Sequence, residues 1–152
     1  MATADAHLSR SRPTHNADPT RTPQNVWLVG GPGELAERHA RILEKANIYP
    51  GKLRADATLA NDIVLSVSPE WFRPNEPDQV GTWDPKRLAA FKRQATAFLR
   101  EQFGGRVAVA VLHMDEATPH VQAVVVPVLA ANPPREGWRL SGRDMFNPAS
   151  LA

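Results

Sequence analysis

Two stretches of regularly spaced hydrophobic residues predict helices in the middle of the chain. Between Glu34 and Asn47, hydrophobic residues and His39 recur on one helical face. The same spacing recurs after Asp84–Pro85, where a carboxylate can cap free N–H groups and proline fits the first helical position. Gly104–Gly105 ends this pattern near Phe103. We therefore predict helices over 34–47 and 85–103.

Four segments have the composition of β-strands: 25–30, 60–68, 106–114 and 120–128. The last two are joined by only five residues, DEATP, which predicts an antiparallel hairpin. In the segment 60–68, Val64 alternates with Ile63 and Leu65. Hydrophobic residues on both faces indicate a central position in the sheet for this strand.

The remaining segments are predicted to be mostly irregular. Prolines 13, 19 and 23 exclude a long helix from residues 1–24, and residues 69–83 are expected to form a packed loop. Residues 138–146 are typical of a short strand and a turn, and a helix is expected to start at 147–152. The order of elements predicts an α+β fold with a mainly antiparallel sheet, helices on one face and the other face free for a site.

The length of 152 residues suits a single domain. We divide it into an irregular segment, 1–24, a sheet-helix core, 25–130, and a loop with the start of a C-terminal element, 131–152. The absence of cysteine excludes disulfides and thiolate metal sites. With no apolar run of membrane-spanning length and no secretory signal pattern, we expect a cytoplasmic protein without a membrane partner.

Arginines cluster near both ends of the chain, although the net charge is only +2. Because a guanidinium donates two parallel hydrogen bonds, arginine is suited to binding phosphate. An ordinary solvated surface explains the same clusters equally simply. The clusters comprise Arg10, Arg12 and Arg21 at one end and Arg135, Arg139 and Arg143 at the other.

The string HMDEATPHVQAVVVP predicts a metal site at the hairpin. His120 and Gln122 share a face of their strand, and antiparallel pairing can bring His113 opposite either of them. Asp115 and Glu116 lie in the connection, within reach of the same point. Such nitrogen and oxygen ligands suit Mn²⁺, Mg²⁺, Co²⁺ or Zn²⁺. The alternative is that these are ordinary hydrogen-bonded side chains.

The same string resembles the third motif of Mob/Pre plasmid mobilisation relaxases, which belong to the HUH endonuclease class. The resemblance implies that His113, Glu116 and His120 are metal ligands, with Mn²⁺ or Mg²⁺ as the cation. The final histidine of the family motif falls on Gln122. An amide oxygen can still coordinate a cation, but it is a neutral and weaker ligand.

The segment HLSRSRPTHNADPTRTPQN resembles the first motif of that family. In the family, the first histidine is the nucleophile and forms a 5′-phosphoramidate link to DNA. The resemblance therefore implies that His7 is the nucleophile. Arg10 and Arg21 are implied to bind phosphates, and Asn16 and Asn25 to orient the backbone or the ligand. Arg12 and Arg143, from the arginine clusters, complete the candidate DNA-binding residues.

The resemblance implies metal-dependent nicking of single-stranded or hairpin plasmid origin DNA, with further mobilisation proteins as candidate partners. Relatives start with an additional strand and helix, whereas six residues precede His7 here. We therefore expect a relaxase domain that lacks the N-terminal strand, is truncated at both ends and has impaired activity. Two alternatives stay open: a DNA-binding remnant without turnover, and a metal-dependent hydrolase of small phosphoesters.

Other residues of chemical interest have simpler explanations. Tyr49 is the sole tyrosine and is expected to be a loop or packing residue rather than a nucleophile. His39 is expected to be an interior histidine, and His15 is either a site residue or a turn residue. Core packing is favoured over base stacking for the aromatic residues of the proline-rich loop, which are Trp71, Phe72 and Trp83.

Overall fold

A four-stranded antiparallel sheet forms the centre of the computed structural model, which describes residues 2–147. Its strands are β1 (Val26–Val29), β2 (Asn61–Ser66), β3 (Val107–His113) and β4 (His120–Val125), in the order β1-β3-β4-β2. A two-stranded sheet of β5 (Val128–Ala130) and β6 (Trp138–Leu140) follows. The helices are α1 (Ala2–Leu8), α2 (Leu35–Lys45), α3 (Pro69–Phe72), α4 (Pro85–Phe103) and α5 (Gly142–Met145).

The longest helix, α4, starts and ends as its sequence predicts. The Asp84 side chain accepts hydrogen bonds from the backbone N–H groups of Lys86 and Arg87. Gly104 follows the helix with a φ of 53°, a conformation that costs glycine little. The predicted α+β class with a mainly antiparallel sheet is confirmed.

The helices lie on both faces of the sheet, which corrects the prediction that they cover one. Residues alternate along β3, so Ala110 and Leu112 pack against the core that contains α4. Val109 and Val111 pack with Leu8 of α1 and other residues of the opposite face, including the buried side of α2. Since both faces of β3 are hydrophobic, each needs a covering helix. The face beneath α1 and α2 is therefore not free along its length.

The strand β2 lies at an edge of the sheet, not in its centre as predicted. Ile63 and Leu65 pack against the α4 core, but the side chain of Val64 is 58% exposed. The hydrophobic character of one residue did not indicate burial, because single hydrophobic residues are common on protein surfaces. Beyond β2, α3 forms within the segment 69–83 that was predicted to be a loop.

Two further boundaries differ from the predictions. Residues 2–8 form the helix α1 inside the segment predicted to be irregular, because the prolines that break helices start only at Pro13. The predicted strand 120–128 is split into β4 and β5 around Pro127, which has no N–H group to donate to a sheet. The helix expected at 147–152 falls almost entirely outside the described residues.

Candidate metal and nucleic-acid site

Three histidines meet at one end of the sheet. His113 and His120 are paired across β3 and β4, and their ring centroids are 5.2 Å apart. The α1 helix places His7 over the same point, with its ring centroid 6.4 Å from that of His113. The hairpin predicted from the sequence pairs His113 with His120, and the position of α1 brings His7 of the first motif to this pair, more than a hundred residues away in the chain.

His113 is the most unusual of the three residues. Its side chain is fully buried, and neither Nδ1 nor Nε2 has a hydrogen-bond partner. Asp115 Oδ1 is the nearest acidic oxygen at 3.7 Å, too far for a hydrogen bond. Burial, together with the charge of Arg10, lowers the pKa of His113 to about 3. His113 is therefore a neutral imidazole with an unused lone pair, which is the form that binds metal ions.

The hydrogen bonding of His120 identifies which of its nitrogens is free. Nδ1 lies 3.1 Å from the carbonyl oxygen of Thr118. A carbonyl can only accept, so Nδ1 carries the proton and the lone pair is on Nε2. That nitrogen lies 4.0 Å from Oε1 of Glu116. His120 thus directs its free lone pair to the side of the predicted ligand Glu116.

Gln122 follows His120 on the same face of β4 and is buried, with 8% of its surface exposed. Its Nε2 donates a hydrogen bond of 2.6 Å to Oδ2 of Asp62, on the edge strand β2. Asp62 belongs to neither of the two sequence motifs and was not among the predicted site residues. The signal that could have found it is the alternation of β2, which places Asp62 and Val64 on the face opposite Ile63 and Leu65.

Asp115 organises the segment that holds these residues, although the sequence indicated only that it could reach the site. It is fully buried and accepts hydrogen bonds from Arg10, Asn25 and Thr22. Burial alone would raise its pKa, but these bonds and the charge of Arg10 hold the pKa at about 2. The string His-x-Asp-Glu could have drawn attention to Asp115 as well as to its neighbours.

Three residues predicted to contact DNA are bound inside the protein instead. Arg10 donates to Asp115 and, at 2.6 Å, to Oε1 of Glu116. The same oxygen of Glu116 lies 4.0 Å from Nε2 of His120. The pKa of Arg10 is raised: burial lowers it, but these bonds to the carboxylates outweigh that effect. Arg21 donates to the carbonyl oxygens of Met114 and Glu116. Asn25 donates to Asp115 and accepts from the Met114 N–H group.

The other candidates have different surroundings. Arg12 and Asn16 are exposed in the segment that follows α1, and Asn16 contacts the ring of His15. Arg143 is exposed on α5 next to Gly142, which approaches Thr58 and Asn61 at the start of β2. Because β2 ends, not starts, beside His120, Arg143 lies at the opposite end of the sheet from the histidines. The structure does not bring it to the site.

The simpler explanations hold for several residues outside the site. His39 is buried and its Nε2 bonds to the carbonyl oxygen of Leu59, as expected of an interior histidine. Tyr49 is 59% exposed, with the Lys52 ammonium over its ring. Phe72 is fully buried and Trp83 packs against the core, whereas Trp71 is exposed and contacts Arg87. Core packing is thus confirmed for two of the three aromatic residues.

The donor set fits a divalent cation, although the site is not preformed. Within residues 2–147, no three His, Asp or Glu side chains are already grouped as a complete metal site. The two free nitrogens of buried His113 are nevertheless costly unless something binds them. A cation between His113 and His120 would supply a partner for the nitrogen of His113 that carries the lone pair. No helix in the described part of the chain is long and apolar enough to span a membrane.

Known proteins resemble the chain in both sequence and fold. It is 32% identical over 82% of its length to the 65 kDa protein of Zymomonas mobilis and 29% identical over 93% to a plasmid recombination enzyme of a Bacillus species. It covers 20% and 31% of those two proteins, so the chain spans less than a third of either relative.

A solved structure of the MobM relaxase domain, Mn-bound and in complex with plasmid pMV158 oriT DNA, has the same fold. The TM-score is 0.74, with 22% identity, 99% of this chain covered and 72% of the other. The family of plasmid recombination enzymes known as Mob/Pre matches residues 1–151. Because that match takes in nearly the whole chain, the protein belongs to the Mob/Pre plasmid recombination enzyme family.

Proposed function

We propose that this chain cuts one strand of plasmid origin-of-transfer DNA by transesterification, with His7 as the nucleophile. The observation that carries the proposal is the buried His113, which has two unpartnered nitrogens and lies between the rings of His7 and His120. A general hydrogen-bonded histidine has no reason to be left in that state. A metal-binding histidine has one, because its lone pair is kept free for the cation.

His113, His120 and Gln122 would hold the cation, with Glu116 as a fourth ligand. Relatives of the same fold are Mn-bound, which supports Mn²⁺ and the chemically similar Mg²⁺. When bound, the cation would withdraw electron density from the scissile phosphate and orient it. Glu116 has two carboxylate oxygens, so it can bind a cation while it also accepts from Arg10.

His7 would form the covalent bond. It is exposed, and the adjacent Arg10 donates to its carbonyl oxygen and so fixes the end of α1. One ring nitrogen of His7 would attack phosphorus, forming an N–P bond as the P–O3′ bond breaks. The departing 3′ oxygen takes up a proton, and the second ring nitrogen of His7 releases one. The phosphoramidate stores the energy of the broken diester, so the strand can later be rejoined.

DNA in single-stranded or hairpin form would reach this end of the sheet. The exposed Arg12 and Asn16 are the candidates to contact it from the first motif. The corresponding roles of Arg10, Arg21 and Asn25 would be indirect, since their side chains position the hairpin connection. Further mobilisation proteins are candidate partners of the longer relatives.

The test captures covalent adducts from a random library of single-stranded DNA carrying a 3′ label, incubated with the protein and Mn²⁺. After denaturation, label should remain on the protein, be released by acid and share a common sequence. It should be absent in His7→Ala and His120→Ala, and present in the control Tyr49→Phe, which removes the hydroxyl of an exposed tyrosine. An acid-stable adduct would identify a different nucleophile and contradict the proposal.

The same assay separates the alternatives. Retention of DNA by the native protein with no cleavage would identify a binding remnant. Cleavage without an adduct, unaffected by His7→Ala, would identify a hydrolase that uses water. Either result would overturn the proposed transesterification.

A further inference from the structure

This inference rests on the proposed metal site, in which the side-chain amide of Gln122 could point either of its two ends at the cation. A primary amide offers one atom that binds cations, the oxygen, and one that repels them, the NH₂ nitrogen. The two ends have nearly the same shape, so packing alone does not select between them. We propose that Asp62 is a positioning residue that holds the Gln122 amide with its oxygen on the side of the cation.

The hydrogen bond between these residues fixes the orientation of the amide. Gln122 Nε2 donates to Asp62 Oδ2 at 2.6 Å. A carboxylate only accepts hydrogen bonds, so only the NH₂ end of the amide can face it. If the amide were reversed, two oxygens would meet at this distance, one of them on a buried residue. The pair therefore has a single favourable arrangement.

The sheet register places Asp62 and the two histidines on opposite sides of Gln122. On the site face, His113 pairs with His120 in one row across the sheet, and Gln122 lies between Val111 and Val64 in the next. Asp62 belongs to the third row, where it pairs with Val124. An amide nitrogen turned to the third row leaves its oxygen on the side of the histidine row.

The charge of Asp62 also affects the strength of the ligand. A carboxylate that accepts from an amide N–H polarises the amide and increases electron density on its oxygen. The effect is analogous to that of the carboxylates that orient metal-binding histidines. Asp62 would thus offset part of the weakness of a neutral ligand. An oxygen at this position also favours Mn²⁺ and Mg²⁺ over Zn²⁺.

The orientation is measured first without metal, by the ¹⁵N NMR spectrum of the side-chain NH₂ group of Gln122. In the native protein its resonance should be shifted by the carboxylate and should exchange slowly. In Asp62→Asn, where either amide can donate or accept, that shift and protection should be lost. The control Asp56→Asn makes the same change at an exposed carboxylate. An unchanged resonance in Asp62→Asn would overturn the proposal.

The affinity for Mn²⁺ alone is measured next by titration calorimetry. Loss of such a supporting carboxylate weakens metal binding about 10-fold. We expect that loss in Asp62→Asn and none in Asp56→Asn. The double variant Asp62→Asn/Gln122→Glu exchanges the amide and the carboxylate. It keeps one hydrogen bond and leaves a carboxylate oxygen for the cation, so binding should return to at least the native level.

The outcomes distinguish the two proposals. If the native protein binds Mn²⁺ no better than His113→Ala, the proposed metal site fails, whatever the NMR spectrum shows. If the native protein binds Mn²⁺ and Asp62→Asn binds it equally well, the metal site stands and the role of Asp62 is overturned. Failure of the double variant to recover binding would likewise contradict a role in orienting the ligand.

Discussion

Arg10 and Asp115 form a two-pronged ion pair that joins the N-terminal helix segment to the hairpin. Nε and Nη2 of Arg10 each lie 3.0 Å from an oxygen of Asp115. The two side chains are 4% and 0% exposed. The pair holds the two motifs together, so the position of His7 beside His113 depends on it.

Removal of this pair should destabilise the protein strongly. Arg10→Ala leaves the buried Asp115 carboxylate without its main partner, a change that costs about 3–5 kcal/mol in comparable cases. We expect that decrease in the free energy of unfolding, measured by urea denaturation. Arg41→Ala is the matched control because Arg41 and its partner Glu37 are both exposed. It should cost under about 0.5 kcal/mol; an equal effect of the two variants would contradict a special role for Arg10.

Gly81 should not tolerate a side chain. Its φ is 75°, and a Cβ atom would lie 2.5 Å from Nη1 of Arg21. That nitrogen binds the carbonyl oxygens of Met114 and Glu116, so it cannot move without releasing the hairpin connection. Gly81→Ala should cost about 1–2 kcal/mol from backbone strain alone.

The control for Gly81 is Gly51→Ala, in a turn where a Cβ would meet no atom within 4 Å. Its effect on the free energy of unfolding should stay within about 0.5 kcal/mol. The same ranking should appear in Mn²⁺ affinity, since only the Gly81 variant disturbs the segment that carries the proposed metal ligands. Equal losses of stability and Mn²⁺ affinity in the two variants would show that Arg21 can move without disturbing the hairpin connection.

The metal-free protein should lose stability in acid before its carboxylates titrate. Folding lowers the pKa of His113 from an ordinary 6.5 to about 3, so the unfolded chain binds the extra proton between these values. Stability is therefore complete above pH 6.5 and falls as the pH drops through this window, by up to about 1.4 kcal/mol per pH unit. Asp115 adds its own loss only below its unfolded pKa of 3.8.

This pH dependence is measured by denaturant unfolding in the presence of a chelator. The slope between pH 6.5 and 4.5 should be reduced in His113→Gln and kept in His15→Gln, which changes an exposed histidine. An NMR titration of the native protein supplies a second measurement that does not depend on a variant folding. Protonation of His113 near pH 6.5 in the folded state would refute the prediction.

Two valines on either side of Gln122 should respond differently to the same substitution. Val111 is fully buried in the face of α1 and α2, and Val64 on the edge strand is 58% exposed. Val111→Thr buries a hydroxyl and should cost about 1–3 kcal/mol. Val64→Thr should change the free energy of unfolding by under about 0.5 kcal/mol. Similar losses of unfolding free energy in both variants would mean that the face of β2 that carries Val64 is covered.

The sequence alone determined the elements with strong local signals. Asp84, Pro85 and Gly104 defined the bounds of α4, because caps and breakers act within a few residues. The five-residue connection DEATP predicted the hairpin, since so short a link favours antiparallel pairing, but it left His113 opposite either His120 or Gln122. The first and third motifs also gave the family.

Only the tertiary structure decided which partners these residues have. Arg10 and Asn25 were predicted to be DNA-binding residues, yet both donate hydrogen bonds to Asp115, which lies 105 and 90 residues later, and Arg10 neutralises its charge. The order of strands placed β2 at an edge and Asp62 beside Gln122. The alternation of β2 gives the face on which Asp62 lies, but the strand beside it has no local signal, because that depends on which distant segments pack together to exclude water. A sequence pattern records which groups can interact, and the packing of the whole chain selects which of them do.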